Sequence, residues 1–193
     1  MRSAVIPPIL DLTKQVVRAA VRPGDTVVDA TVGNGHDTLF LAELVGPAGH
    51  VYGFDIQAQA LDAARARLQA AGCLERTTLL HAGHEQAGTM LPPAAQTSLA
   101  CAMFNLGYLP GGDKARVTTP QATLIALRTL LSMLRPHGIL TVHCYTGHNG
   151  GEAEGHAVLE WAHGLEWETH RVARYDFCNK PRNGEALLVI ERV

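Results

Sequence analysis

The chain has few of the features that mark membrane or secreted proteins. No apolar run approaches the ~20 residues of a membrane-spanning helix, and residues 1–5 lack the apolar core of a signal peptide. Its four cysteines stand far apart and without C-x-x-C spacing, which argues against a zinc cage or a disulfide framework: Cys73, Cys101, Cys144 and Cys178. We therefore expect a cytoplasmic protein whose thiols are reduced.

An excess of either charge is also absent. The sequence carries 16 Lys and Arg against 18 Asp and Glu, a formal net charge of −2. It therefore lacks the overall basic character of a bulk nucleic-acid binder, although a local basic patch is still compatible with this charge. Hydrophobic residues make up 47% and charged residues 18%, which argues against disorder. At 193 residues, we expect a single domain spanning residues 1–193.

Hydrophobic periodicity predicts strands that alternate with helices. Strands are predicted where short apolar runs stand between turn residues, at Val27–Val28, Val51–Ile56, Thr77–His81, Leu99–Phe104, Ile139–Tyr145, Trp167–Phe177 and Ala186–Glu191. Helices are predicted at Ile9–Val21, Asp37–Leu44, Gln57–Ala71, a short stretch that starts at Gly83, Thr119–Leu134 and a segment that ends near His163. Arg135–Gly138 is predicted to stop the fifth of these helices.

Five strands separated by helices predict a parallel sheet, because parallel neighbours need crossover connections. The last two strands form a hairpin that adds an antiparallel edge. We therefore expect an α/β fold with a mostly parallel seven-stranded sheet, an antiparallel C-terminal hairpin and helices on both faces. In such sheets ligands bind beyond the carboxyl ends of the strands.

The first strand runs into a glycine-spaced turn within Val27–Asp37, which reads Val-Val-Asp-Ala-Thr-Val-Gly-Asn-Gly-His-Asp. A dinucleotide-binding turn reads G-x-G-x-x-G, but here Thr38 takes the place of the third glycine. Asp29, ahead of the glycines, suits a cationic amino-acid group and would repel a pyrophosphate. S-adenosylmethionine is therefore favoured over NAD, with Asp55 at the end of the second strand for the ribose hydroxyls. Two simpler readings stay open: Asp29 as a hydrogen-bond acceptor for the turn, and Asp55 as an ordinary strand-end acid.

At this point the chain resembles the class I S-adenosylmethionine-dependent methyltransferases, which have a Rossmann-like fold. It is most similar to a bacterial family of tRNA 5-aminomethyl-2-thiouridine methyltransferases, once described as rRNA methylases. Four stretches carry the resemblance: Asp29–Asp37, Phe104–Pro110, Tyr145–Glu152 and Asn179–Asn183. The resemblance implies methyl transfer to the exocyclic amine of a modified wobble uridine, with the anticodon region of tRNA as partner. The oligomeric state stays open, with a homodimer as one possibility.

The resemblance also implies which residues surround the cofactor. They follow the first three strands and end the fourth: Asp29, Thr31, Gly33, Asn34, Gly35, Asp37, Thr38, Asp55, Ile56, Gln57, His84 and Asn105. His84 has two readings, since it could line the adenine pocket or cap the short helix that follows the third strand.

Asn105 and Tyr108 are the expected catalytic residues. The segment Asn105-Leu-Gly-Tyr108 resembles the Asn/Asp-Pro-Pro-Tyr loop of amino-methyltransferases, in which the Asn oxygen and a backbone carbonyl hold the amine and the aromatic ring stacks on the base. It departs from that loop by lacking both prolines, which puts its rigidity in question. The alternative is that Asn105 only completes a turn and Tyr108 only packs.

The substrate is expected to meet residues from the last two loops, namely Tyr145, His148, Asn179, Lys180, Arg182 and Asn183. Lys180 and Arg182 are candidates for contacts with RNA phosphates, although an ordinary solvated loop is the alternative. His148 is a candidate general base or a simple turn residue. Whether the Gly111–Lys114 loop closes over the site stays open.

No metal is expected, because the histidines lack the H-x-x-x-H spacing of a helical metal site and have no cysteine set nearby. Other functions stay open alongside the leading one. They are an rRNA or small-molecule methyltransferase, an NAD-dependent oxidoreductase, and a non-catalytic cofactor-binding partner in an RNA-modifying complex.

Overall fold

The structure, a computed structural model, describes residues 5–106, 119–145, 151–180 and 184–193. Within these ranges the strands are β1 (Thr26–Asp29), β2 (His50–Asp55), β3 (Thr77–His81), β4 (Leu99–Asn105), β5 (Leu134–Tyr145), β6 (His170–Tyr175) and β7 (Glu185–Arg192). The helices are α1 (Ile9–Ala20), α2 (His36–Val45), α3 (Ala58–Ala70), α4 (Ala87–Met90), α5 (Pro120–Met133) and α6 (Gly151–His163).

The strands form one seven-stranded sheet in the order β3-β2-β1-β4-β5-β7-β6. β1 to β5 pair in parallel, and β7 pairs antiparallel with both β5 and β6. The expected α/β architecture with an antiparallel C-terminal hairpin is thus confirmed. The last strand in the chain lies inside the sheet, between β5 and β6, so the hairpin joins the sheet through its second strand.

Helices cover both faces of the sheet. On one face, Val17 of α1 and Leu41 of α2 pack with Val27 of β1 in a buried cluster. On the other, Leu127 and Leu130 of α5 pack with strand residues in a second cluster. Every residue of β4 from Leu99 to Phe104 is buried, as expected for a strand covered on both faces. Across the described ranges, none of the helices is long and apolar enough to span a bilayer.

The junction between α5 and β5 differs from the sequence prediction. Leu134 was predicted on the buried face of a helix, but it is the first residue of β5 and pairs with Leu99. The register then shifts, so that Ile139 pairs with Cys101. Gly138 lies in this irregular stretch, where a Cβ atom would approach the Leu99 carbonyl oxygen to 2.8 Å. β5 therefore includes Arg135–Gly138, which the sequence predicted only to end the preceding helix, because the strand pairs with β4 on both sides of this segment.

The strand predicted from Trp167 is shorter than expected. β6 begins at His170, and Trp167 lies before it with 66% of its surface exposed. The Arg171 guanidinium lies 3.7 Å from the centre of the Trp167 ring. An exposed turn with this cation–π contact thus precedes the strand.

Polar strand ends meet at one edge of the sheet. Asn105 at the end of β4 is in register with His143 of β5, and Tyr145 at the end of β5 is in register with Glu185 of β7. Asp29 at the end of β1 is in register with Met103 of β4, so it lies at the same edge. Asp29, Asn105 and Tyr145, three of the expected site residues, therefore lie along one edge of the sheet.

Candidate active site

Asp29 is buried beneath the turn that follows β1, with 1% of its surface exposed. It accepts one hydrogen bond from the Thr31 backbone N–H at 3.1 Å and one from the Thr38 hydroxyl at 2.6 Å. Burial, followed by repulsion from nearby Asp37, raises the pKa of Asp29 to about 7. The carboxyl group therefore stabilises the turn and the start of α2, which is the simpler of its two sequence readings.

Asp55 connects the end of β2 to the glycine turn. One of its oxygens accepts from the Gly33 backbone N–H at 2.8 Å and the other from the Gln57 N–H at 2.9 Å. Gly33 has a φ of +50°, in the region that favours glycine. Each carboxylate oxygen has a further lone pair for a ligand. Ile56, next in the chain and 45% exposed, presents an apolar surface beside that carboxylate.

Gly35 serves the packing of two helices. Its φ is +75°, and a Cβ atom there would lie 2.7 Å from both the Cα and the Cβ atoms of Ala64 in α3. The neighbouring carbonyl oxygen of Asn34 accepts a hydrogen bond from Arg67 Nε, also in α3, at 2.8 Å. The glycine therefore permits close approach of α3 to the N-terminus of α2. The G-x-G spacing alone could not distinguish this packing role from cofactor binding.

Asn105 is held from two sides. Its backbone N–H donates to the Thr31 hydroxyl at 2.8 Å, and its side-chain Nδ2 lies 3.4 Å from an Asp37 carboxylate oxygen. The remaining side-chain atom, Oδ1, is buried and has no hydrogen-bond partner among the described residues. A buried acceptor without a donor is costly, so Oδ1 is suited to receive an N–H from a ligand.

Asn105 lies in a small cleft, here named the Asn105 cleft, between α1 and the ends of β4 and β5. Its walls are Leu10, Thr13, Lys14, Asp37, Met103, Phe104, Asn105 and His143. Asp37 is the acidic group on these walls, whereas Asp29 is enclosed by its own turn. The contribution of α1 was missed from the sequence, because helical periodicity shows which face is apolar but not which strand end lies beside it.

His84 supports the turn from beneath. Its Nδ1 lies 3.1 Å from the Ala30 carbonyl oxygen, and its ring packs against the edge of Phe104, with centroids 5.5 Å apart. Burial lowers the pKa of His84, so the ring is neutral at pH 7. The reading of His84 as a helix cap is therefore wrong, since its side chain bonds to the Ala30 carbonyl and not to the short 3₁₀ helix His84–Gln86 that it begins.

The C-terminal hairpin approaches the same edge of the sheet. Asn179 and Lys180 are exposed, and Lys180 forms an ion pair with Glu185. Glu185 also lies 3.4 Å from His143 Nε2. The Lys180 charge is thus already balanced in the free protein. Several expected contacts lie outside the described residues: Tyr108, His148, Arg182, Asn183 and the Gly111–Lys114 loop.

Comparison with protein families gives two matches. A family described as "Putative rRNA methylase" matches residues 51–191, and one described as "Methyltransferase domain" matches residues 22–79. Among characterised relatives, the chain is 36% identical over 169 residues to "tRNA (mnm(5)s(2)U34)-methyltransferase, chloroplastic" of Arabidopsis thaliana. That alignment covers 83% of this chain and 61% of the relative, so the plant protein is considerably longer.

Two solved structures resemble the chain over nearly its full length. A "putative rRNA-methylase" from Clostridium thermocellum is 38% identical, with a TM-score of 0.94 over 98% of this chain and 100% of that one. A "putative methyltransferase" from Streptococcus mutans, solved in complex with SAH, is 29% identical, with a TM-score of 0.88 over the same shares of the two chains.

Proposed function

The chain belongs to the S-adenosylmethionine-dependent methyltransferase family described as "Putative rRNA methylase", and from that premise we propose that its substrate is an amine on tRNA. The proposed reaction transfers a methyl group to the exocyclic amine of 5-aminomethyl-2-thiouridine at the wobble position and gives 5-methylaminomethyl-2-thiouridine. The name of the Arabidopsis relative supports this substrate. Within the chain, the supporting observation is at Asn105, whose buried Oδ1 has no hydrogen-bond donor among the described residues.

S-adenosylmethionine is the cofactor, and the residues at the sheet edge fit it. Asp55 offers free carboxylate lone pairs for ribose hydroxyls, and Ile56 beside it offers an apolar surface for the adenine. We assign the cationic amino group to Asp37, because Asp29 is enclosed and already accepts two hydrogen bonds. When bound, the cofactor supplies a methyl group that the sulfonium charge has already activated.

The protein's own task is then to hold an unprotonated nitrogen in line with that methyl group. Asn105 Oδ1 accepts one N–H of the amine, which orients the nitrogen lone pair. The Asp37 carboxylate lies 3.4 Å from Asn105 Nδ2, and a hydrogen bond between them assigns the nitrogen to the Asp37 side and leaves Oδ1 for the amine. Tyr108, three residues further on, is proposed to stack on the base.

Nucleoside mass spectrometry tests the proposed substrate. Purified protein and S-adenosylmethionine are incubated with tRNA from a strain in which the gene is deleted, and the tRNA is then digested to nucleosides. We expect the aminomethyl nucleoside to accumulate in the deletion strain and to be converted to its methylated form in the tube. Digested rRNA from the same strain serves as the matched control.

An unchanged tRNA profile in the deletion strain would refute the proposal. Methylation of the rRNA, with tRNA unchanged, would instead favour the function that the family description names. Conversion of both RNAs would show a broader amine substrate than the one proposed.

A further inference from the structure

Two cations of α1 lie on one stripe of the helix. Lys14 and Arg18 are four residues apart, and both pack over the ring of Phe40 in α2: Lys14 Nζ is 5.5 Å and the Arg18 guanidinium carbon 4.9 Å from its centre. Phe40 is 8% exposed beneath them. Neither cation forms an ion pair with any residue in the described part of the chain. Their charges are therefore available to an anionic partner.

This stripe begins inside the Asn105 cleft. Leu10, Thr13 and Lys14 are its lining residues from α1; Asp37 of α2 and Asn105 at the end of β4 line the same cleft. Arg18 continues the stripe one turn further along the helix. Leu10 is 44% exposed, so its side chain can pack against an apolar surface of a ligand. A chain of anionic groups that leaves the cleft along α1 would meet Lys14 first and Arg18 next.

α1 is fixed at both ends, so its cations are held in place relative to Asn105. Before its first turn, the Pro7 carbonyl oxygen accepts from the Tyr175 hydroxyl of β6 at 2.7 Å. In its last turn, the Ala20 carbonyl oxygen accepts from Arg135 Nη2 at 3.1 Å. Val17 is fully buried against the sheet between these anchors. The helix therefore provides a preorganised surface, which reduces the entropy cost of binding.

Lys180 of the C-terminal hairpin is less available to a phosphate than Lys14 and Arg18 are. Lys180 is paired with Glu185, and an RNA phosphate would have to compete with that carboxylate. We propose that Lys14 and Arg18 bind backbone phosphates of the RNA strand that carries the target nucleotide, while Leu10 packs against the nucleotide itself. This proposal rests on tRNA being the substrate. Phosphate contacts of this kind position a strand without reading its sequence.

The experiment measures tRNA binding by a Lys14→Gln, Arg18→Gln variant as a function of salt concentration. Glutamine keeps an aliphatic stem over Phe40 and removes only the charge. The matched control is Arg65→Gln, Arg128→Gln, which removes two exposed cations from α3 and α5 outside the cleft. Affinity for S-adenosylmethionine and the melting temperature are recorded for both variants.

We expect the α1 variant to bind tRNA roughly tenfold more weakly and its salt slope to fall by about 1.5, since each phosphate contact contributes roughly 0.7 to 0.9. The loss of kcat/KM for tRNA should arise mainly in KM. The control variant should match the wild type in all of these measurements, and the cofactor affinity of both variants should be unchanged.

Equal effects of the two double variants would overturn the inference, because general charge would then explain the loss. So would an unchanged salt slope, or a change of oligomeric state in the α1 variant, which would make the stripe a contact between copies of the chain. The wild-type assays test the substrate separately. If wild-type protein binds and methylates tRNA while the α1 variant behaves identically, only the α1 inference fails; if wild-type protein does neither, the substrate proposal fails as well.

Discussion

The backbone N–H of Asn105 donates a hydrogen bond to the hydroxyl of Thr31 at 2.8 Å, across 74 positions of sequence. This bond joins the last residue of β4 to the turn that follows β1. Because Thr31 also donates its own N–H to Asp29, the proposed catalytic amide and the cofactor turn belong to one hydrogen-bonded unit. The bond uses the backbone of Asn105, so it is kept when the side chain is replaced.

Asn105→Ala should lower kcat by roughly 100-fold, a loss comparable to removal of one preorganised polar contact in other active sites. The reason is that the amine loses the acceptor that orients its lone pair. Cofactor affinity, measured by calorimetry, should change little. Thr31→Ser, which keeps the hydroxyl acceptor for the Asn105 N–H, is the matched control and should retain activity. Unchanged turnover in Asn105→Ala would reject its assigned role.

The free protein should become less stable through Asp29 as the pH rises from about 4 to about 7. The folded chain binds this proton more tightly than the unfolded chain, because burial raises the pKa from 3.8 to about 7. The contribution of Asp29 to the free energy of unfolding is full below the pKa that this group has in the unfolded chain. It is lost as the pH rises through the pKa in the folded chain, by at most about 1.4 kcal/mol per pH unit.

Urea denaturation across that pH range, with Asp29→Asn as reference, checks the Asp29 prediction. Asparagine keeps an acceptor for the Thr31 N–H but does not titrate. Buried histidines such as His84, whose pKa is lowered, contribute the opposite slope in both proteins and cancel in the difference. Identical pH slopes for wild type and variant would contradict the assignment.

Gly35→Ala should destabilise the protein by more than its backbone conformation alone explains. Gly72 provides the comparison, because it too has a positive φ, +65°, but nothing lies within 4 Å of a Cβ atom built there. We expect Gly72→Ala to cost about 1–2 kcal/mol. Gly35→Ala should cost a further 1–3 kcal/mol or so, because its methyl group would meet Ala64.

A second substitution identifies the source of the extra cost at Gly35. Ala64→Gly removes one of the two atoms that a Cβ at position 35 would approach to 2.7 Å, and it should recover part of the loss in a double-mutant cycle. Free energies of unfolding from urea titrations are sufficient. Equal costs at positions 35 and 72 would show that α3 moves aside without penalty.

Glu185→Gln should strengthen tRNA binding by roughly two- to tenfold, because it removes a negative charge at the sheet edge and releases Lys180 from its ion pair. Glu191→Gln is the matched control: it lies on the same strand, and its carboxylate pairs with exposed His137 at the far end of β7. Filter binding at constant salt measures both. Weaker binding in Glu185→Gln would mean that the carboxylate itself helps to position the substrate.

Much of the architecture could be predicted from local patterns. Thr77–His81 was predicted to the residue, and Thr119 followed by Pro120 correctly marked the start of α5, where the Thr119 hydroxyl accepts from the Ala122 N–H. Leu134 shows where this reasoning fails. Its apolar side chain suits a buried helix face and a buried strand equally, and pairing with Leu99, 35 positions earlier in the chain, decided between them.

The sequence by itself determined the alternating strands and helices, the glycine turn, and the acids that end β1 and β2, because hydrophobic periodicity and turn chemistry act over a few residues. The tertiary structure decided that Asp29 accepts hydrogen bonds from Thr31 and Thr38, that Gly35 lies against Ala64 of α3, and that α1 lines the cleft at Asn105. Those outcomes depend on which distant surfaces pack together, and burial then sets the partners and the pKa of each group.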